Sequence, residues 1–155
     1  MTIRESGLTE EVLSALIALS EDWEKEGSCY GYRANKREDI EGNRIFLAEE
    51  DGRVVGYLFG NLFRSKNMRS VMPEDTPCFE IEELYVIPGR RSRGVGRALF
   101  EFASGAVKKD AEYVVLSTAA KNWRAIFRFY LDEVGMEFWS ARLFKRIGGD
   151  RGCSA

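Results

Sequence analysis

The run Ile81-Glu82-Glu83-Leu84-Tyr85-Val86-Ile87-Pro88-Gly89-Arg90-Arg91-Ser92-Arg93-Gly94-Val95-Gly96-Arg97-Ala98-Leu99-Phe100 decides how the rest of the chain is read. Its first part, with Phe79 before it, is apolar and aromatic and is ended by Pro88-Gly89, so it predicts a strand over Phe79 to Ile87. Its last part begins an apolar stripe at helical spacing, Val95, Leu99, Phe102, Ala103, Ala106 and Val107, which predicts a helix over Gly94 to Lys109. Between the two lies a turn of glycines and arginines. Unpaired backbone N–H groups at a helix start bind anionic phosphates, helped by the helix dipole. Gly94 and Gly96 let a ligand come close to the backbone, and Arg90, Arg91, Arg93 and Arg97 can add charge-assisted bonds.

Working outward, Thr2 to Glu5 reads as a short strand. Leu8, Val12, Leu13, Leu16, Ile17 and Trp23 mark a first helix that starts at Thr9-Glu10-Glu11 and fades near Gly27. Ser28 to Asn43 reads as a loop with one short helix. Ile45 to Glu49 and Val54 to Phe63 read as a hairpin turning at Asp51-Gly52. Arg64 to Pro77, polar and proline-containing, reads as a mobile loop. Tyr113 to Ser117 is a strand of the buried type. Asn122 is placed to cap a helix with the stripe Ile126, Phe127, Tyr130, Leu131 and Val134, closed by Gly135. Met136 to Trp139 and Arg142 to Ile147 read as a final strand pair. The expected architecture is α/β (α+β, one mixed sheet), with residues 1–147 as a single domain and 148–155 as a frayed tail.

Composition removes whole classes of chemistry. The sequence has no histidine, so Ser-His and Cys-His catalysis and histidine metal sites are excluded. Three cysteines, Cys29, Cys78 and Cys153, form no C-x-x-C pair, and no disulfide frame or metal site is expected. A net charge of −2 gives no basic footprint for nucleic acid. The absence of a long apolar run and of a signal-like N-terminus predicts no membrane partner and a cytoplasmic protein. Acidic residues cluster at Glu21-Asp22-Glu24-Glu26, at Glu49-Glu50-Asp51 and at Glu80, Glu82 and Glu83, apart from the arginine segment. That layout suits an anionic and a cationic ligand on one protein.

Two phosphate loops are ruled out by single positions. Gly89 and Gly94 have the G-x4-G spacing of a Walker A loop, but Val95 and Gly96 stand where Lys and Ser/Thr are required. Gly94-x-Gly96 is followed by Leu99 where a dinucleotide fingerprint needs Gly or Ala. What fits is R-x-x-G-x-G, as Arg91-x-x-Gly94-x-Gly96, directly after Leu84-Tyr85-Val86. With the later block Asn122-x-x-Ala125, Phe129-Tyr130 and Val134-Gly135-Met136, and with the element order of nearly the whole chain, this resembles the GNAT superfamily of N-acetyltransferases.

The resemblance implies a sheet of about seven strands with about four helices, and acetyl-CoA as co-substrate. In that family the loop corresponding to Arg91-Ser92-Arg93-Gly94-Val95-Gly96-Arg97 holds the coenzyme pyrophosphate. Leu84, Tyr85 and Val86 would meet the pantetheine arm through main chain, and an amide near Val86 would polarise the thioester carbonyl. Asn122 would meet the arm from the opposing strand end. Tyr130 matches the tyrosine that protonates the leaving thiolate, although its place on an apolar stripe also suits a core aromatic. Without histidine the base falls to Glu80, Glu82 or Glu83, with Glu82 narrowly preferred over Glu83 by likeness to polyamine acetyltransferases. A bulge common in this strand blurs which face each one takes.

Asp22, Trp23, Glu26 and Tyr30, with Glu24, Tyr32, Glu137, Trp139 and Phe144, combine acids and aromatics in the segments that shape the acceptor pocket of GNAT folds. This suits a small cationic amine, through ion pairing and cation–π contact. The expected reaction is direct acetyl transfer to a primary amine in a ternary complex. A non-catalytic acyl-CoA-binding sensor, a peptide or protein amine as acceptor, and a longer acyl group remain alternatives. Dimers are common in the family, and on that ground alone a homodimer is expected.

Overall fold

The computed structural model describes residues 1–151. Cys153 and the end of the expected tail lie outside the described residues. A sheet runs in the order β1 (Thr2–Ser6), β2 (Arg44–Glu50), β3 (Arg53–Arg64), β4 (Pro77–Val86), β5 (Tyr113–Val115). The first three pairings are antiparallel and β4–β5 is parallel. The helices are α1 (Glu10–Glu26), α2 (Arg37–Ile40), α3 (Val95–Val107) and α4 (Trp123–Phe127). A 3-10 turn at Pro88–Arg90 precedes α3, and a π-helical turn at Arg128–Glu133 continues α4.

Local chemistry accounts for the element ends. Thr9 Oγ1 accepts the Val12 N–H at 3.1 Å, and Glu10 and Glu11 occupy the positive first turn of α1. Gly27 stops that helix in the left-handed region at φ 61°. The β2–β3 hairpin turns on Asp51 and Gly52, both at positive φ, as a two-residue turn requires.

Alternation along the strands builds two cores. One face carries Phe46, Leu58, Phe79 and Ile81 against Leu99, Phe100, Ala103 and Val107 of α3. The other carries Ile45, Leu47, Tyr57, Phe59 and Tyr85 against Val12, Leu13 and Leu16 of α1 and Ile40 of α2. Each fully buried side chain of this kind contributes about 1.5–3 kcal/mol. The mixed sheet covered on both faces, with four α-helices, is the fold class expected.

Three expectations change. The sheet has five strands among the described residues rather than about seven. Met136–Trp139 and Arg142–Ile147 form no ladder, and Leu143 and Ile147 are 90% and 92% exposed. An alternating pattern makes a strand only where a neighbour pairs with it. Here Phe138 meets Phe127 and Phe144 meets Tyr30 edge-on, while the backbone pairs with no strand. The loop after β3 is also pinned: Ser65 and Thr76 exchange hydrogen bonds across its neck, and Met72 is buried beneath it. Finally, Asn122 precedes α4 without a side-chain cap, because its backbone has turned to ψ 64°. No helix is long and apolar enough to cross a membrane, among the described residues.

Candidate active site

The pairing of β3 with β4 slips at one point. Phe59 lies opposite Glu83 and Gly60 opposite Ile81, so Glu82 is an extra residue, a β-bulge. The bulge resets the alternation. Phe79, Ile81, Leu84 and Val86 all belong to the α3 side, whereas Tyr85 belongs to the α1 side, with Glu83 beside it. Gly60 makes the slip possible. A Cβ on it would sit 2.1 Å from the Glu80 carbonyl oxygen.

Glu83 is thereby pushed into the α1-side core. Its Oε1 accepts three hydrogen bonds: from Tyr57 Oη at 2.8 Å, Asn35 Nδ2 at 2.8 Å and Tyr32 Oη at 3.1 Å. Asn35 is itself fixed, its N–H donating to the buried Ser20 Oγ at 2.9 Å. Glu83 Oε2 has no such partner. Ser104 Oγ is the only buried side-chain polar atom without a partner among the described residues, so Oε2 opens to accessible space. Glu83 lines a cavity of about 430 Å³ together with Asn35, Asp39, Phe59 and Glu82, with Arg33 and Lys36. Burial raises the Glu83 carboxyl above the ordinary carboxylate range, and the three donors only partly offset this.

Glu82 has a different setting. It is exposed on the bulge, and its Oε1 accepts from Asn61 Nδ2 at 3.2 Å. Of the two glutamates expected as candidates for the base, Glu82 is the outward one and Glu83 the inward one. The bulge, which the sequence could not place, decides which glutamate turns inward. Tyr32, Tyr57 and Asn35 were missed as a set, because they come from a loop, a strand and another loop position with no shared motif.

The Arg-Gly turn has the backbone of an anion site. Ser92 and Gly94 take φ 61° and 83°. The first intrahelical bond of α3 runs from Ala98 N–H to Gly94 O at 2.9 Å, and no side chain caps the helix. The amides of Val95, Gly96 and Arg97 are thus free for a ligand. Gly96 packs on Phe129, which a Cβ would approach to 3.3 Å. The strand entering this turn is also open. β4 pairs with β5 only through Cys78, Phe79 and Glu80, so from Ile81 to Val86 the β5-side edge faces no strand. Leu84 and Val86 point to the α3-side core and Tyr85 to the α1 side, which leaves main chain along that edge. A free helix start beside an unpaired strand edge fits an extended thioester with a pyrophosphate at one end.

The arginines are mostly engaged. Arg90 Nε meets Glu50 at 2.5 Å, and Arg97 Nε meets Glu101 at 2.8 Å. Arg91 reaches Glu26 and the Val86 carbonyl. Arg93 makes no side-chain hydrogen bond or ion pair among the described residues. Gly94→Asp forces an L residue into the left-handed region and puts a carboxylate at the helix start. We expect CoA affinity to fall at least tenfold, about 1.4 kcal/mol, by calorimetric titration, and unchanged affinity would place the pyrophosphate elsewhere.

Tyr130 lies in the π-helical turn, packed edge-on to Phe100 and Phe129 against the α3-side core. Its hydroxyl has no hydrogen bond partner among the described residues yet is not a sealed, unsatisfied atom. Burial, with the Cys29 thiol as a smaller cause, pushes its pKa up to about 12, so at neutral pH it holds its proton. Cys78 is sealed in the core against Met72. Tyr130→Phe is expected to cut kcat about 10²-fold while CoA affinity stays within twofold, and full activity would return Tyr130 to a core role.

The expected acceptor residues separate. Asp22 and Glu26 line a second cavity of about 370 Å³ with Leu19, Arg53, Tyr85 and Pro88. Trp23 stacks between Tyr32 at 4.2 Å and Tyr85 at 5.0 Å and lines neither cavity. Tyr30 is elsewhere: its N–H bonds Ala119 O at 3.0 Å, and Lys121 Nζ and Phe144 flank its ring. Glu137, Trp139 and Phe144 line neither cavity. No cluster of metal-binding side chains occurs among the described residues.

Known structures share this fold. An aminoglycoside N-acetyltransferase AAC(6')-Iy, solved with CoA, is 18% identical over 95% of this chain and 99% of its own, at TM-score 0.66. A tetramutant of the BH1408 protein from Bacillus halodurans is 20% identical over 95% and 100%, at TM-score 0.72. A ribosomal-protein-alanine N-acetyltransferase from Brucella melitensis biovar Abortus 2308 is 13% identical over 94% and 100%, at TM-score 0.63. Among curated protein sequences none matches. At these identities the structures establish the fold, and the family is established by sequence: the acetyltransferase (GNAT) family profile matches residues 12–136. The chain belongs to the acetyltransferase (GNAT) family, and so to the N-acetyltransferases.

Proposed function

We propose that the protein transfers an acetyl group from acetyl-CoA to a small cationic primary amine, directly in a ternary complex, with Glu83 as base and Tyr130 as acid. The observation that carries this is the Glu83 carboxylate: one oxygen is held by three donors, the other has no partner, and the residue lines a cavity.

Acetyl-CoA supplies the activated acyl group. The free amides of Val95, Gly96 and Arg97 would hold its pyrophosphate, helped by Arg93, and the open edge of Leu84, Tyr85 and Val86 would hold its pantetheine arm. The Asn122 amide, not used as a cap, is available to that arm. Glu83 and Tyr130 belong to opposite faces of the sheet, on either side of the open β4 edge. Glu83 Oε2 takes a proton from the ammonium nucleophile. The neutral amine nitrogen then forms its bond to the carbonyl carbon, the C–S bond breaks, and Tyr130 Oη gives its proton to the sulfur. The second proton of the attacking nitrogen leaves to solvent, from which Tyr130 is reprotonated and to which Glu83 later returns its own proton. A base works best when its pKa lies near the operating pH, which the raised value of Glu83 favours.

Acceptor charge follows from the lining. Asp39, Glu82 and Glu83 outnumber Arg33 and Lys36 in one cavity, and Asp22 and Glu26 outnumber Arg53 in the other. That one structure of like fold is an aminoglycoside N-acetyltransferase agrees with a small amine. The test is thiol release from acetyl-CoA across polyamines, aminoglycosides and peptides. Turnover with a small polycation and none with peptides is expected. No turnover with any member would point to an acyl-CoA-binding module without catalysis.

A further inference from the structure

Arg91 belongs to the phosphate-binding turn, yet its guanidinium is held on the acceptor side. Its Nη2 lies 2.8 Å from Glu26 Oε1 and 2.9 Å from Glu26 Oε2. Its Nε donates to Val86 O at 2.8 Å, on the open strand edge, and the group lies 5.4 Å from the Tyr85 ring centroid. Glu26 is fixed from a second direction, because Tyr85 Oη donates to its Oε2 at 2.5 Å. Glu26 is the last residue of α1, stopped there by Gly27, and it lines the cavity that contains Asp22.

We infer that Arg91 is a shared cation that couples the two ligand sites: it masks Glu26 in the free protein and releases it when a pyrophosphate takes Arg91. This rests on the reading of the Arg91–Gly96 turn as a CoA site. Two anions, the pyrophosphate and Glu26, compete for one guanidinium. Two cations, Arg91 and an ammonium, compete for one carboxylate. Filling either site therefore improves the other, and linkage makes the effect reciprocal. The Nε bond to the Val86 carbonyl extends the effect to main chain, since the same displacement frees an acceptor on the open edge of β4. Tyr85 keeps Glu26 in place throughout, so that the carboxylate vacated by Arg91 still faces the cavity.

The opposing reading is a surface ion pair that only fastens α1 to the turn. The two differ in sign for CoA alone. If Glu26 competes for Arg91, removing its charge tightens CoA. If the pair only supports the turn, removing it loosens CoA or leaves it unchanged.

The experiment is calorimetric titration of CoA into the wild type, Glu26→Gln, Asp22→Asn, Arg91→Ala and the Glu26→Gln/Arg91→Ala double variant. Unfolding midpoints confirm that each is folded. Glu26→Gln is expected to bind CoA about two- to fivefold more tightly, the range for an exposed ion pair. Asp22→Asn removes the same charge from the same cavity without touching Arg91, and should change affinity by much less. Arg91→Ala should weaken binding, and adding Glu26→Gln to it should recover no more than Asp22→Asn does. Equal or weaker binding by Glu26→Gln, or the same gain with Arg91 absent, overturns the coupling and leaves the CoA site standing. No binding of CoA by the wild type overturns the CoA reading itself.

Discussion

Glu83→Gln is expected to lower kcat/KM about 10²–10⁴-fold, the range for a positioned general base, while Glu82→Gln, which removes only one exposed charge from the same cavity lining, costs about fivefold at most and acts through KM. Gln keeps the shape, and its oxygen can still accept from Tyr32, Asn35 and Tyr57. What it removes is the proton acceptor at Oε2. Steady-state rates with the best acceptor from the thiol-release panel check this. Comparable losses from both variants would mean that the bulge does not divide their roles. Stability should move oppositely. Burial raises the folded-state pKa of Glu83 above its unfolded value. Its contribution to stability is therefore present below the unfolded pKa and lost as pH rises through the folded one. The unfolding midpoint of Glu83→Gln relative to wild type is thus expected to be higher at pH 7 than at pH 4. An active-site carboxylate that weakens the fold when charged would show this trend, and a structural ion-pair partner would show the reverse.

The second large effect is Gly60→Ala. A Cβ at Gly60 meets the Glu80 carbonyl oxygen at 2.1 Å and the Phe79 ring at 2.9 Å. The first of these is backbone and cannot swing away, so β3 and β4 must separate at the bulge. Overpacking of this kind costs about 2–4 kcal/mol. At about 2–4 °C per kcal/mol for a chain of this size, the unfolding midpoint should drop by about 5–15 °C. Activity of the folded fraction should fall with it, because the same slip aims Glu83. A midpoint within 2 °C of wild type, by calorimetry, would show that the strands do not approach as described. Gly56 makes a graded comparison: its Cβ would stand 2.9 Å from the Tyr85 carbonyl oxygen.

The legible part of the fold was the part set by local rules. Thr9, Gly27, Asp51-Gly52 and Pro88-Gly89 are punctuation whose chemistry acts within a few residues, and each element they bound was found. The Gly94-centred turn was legible because single positions excluded its rivals. What was not legible depended on long-range pairing. Whether Met136–Ile147 forms strands depends on a neighbour, which apolar alternation cannot supply. The bulge at Glu82 is a register choice between two strands, held by a glycine distant in sequence. The Glu83 cluster needs Tyr32, Asn35 and Tyr57 to converge from separate segments, and Tyr30 looked equivalent to Tyr32 until the backbone carried it toward Ala119. The pair Arg91–Glu26 could not be read at all, because it spans the chain from α1 to the turn before α3.

If the inward carboxylate of Glu83 is the base, it sets how the rate depends on pH. The most direct test of that role is the pH dependence of kcat/KM for the wild type and Glu83→Gln with the same amine. For the wild type an acid limb is predicted, with a midpoint above the ordinary carboxylate value of about 4.3, because burial raises that group. In Glu83→Gln the limb should vanish from the residual activity. An acid limb that survives unchanged in Glu83→Gln would contradict the account and assign the proton to another acceptor.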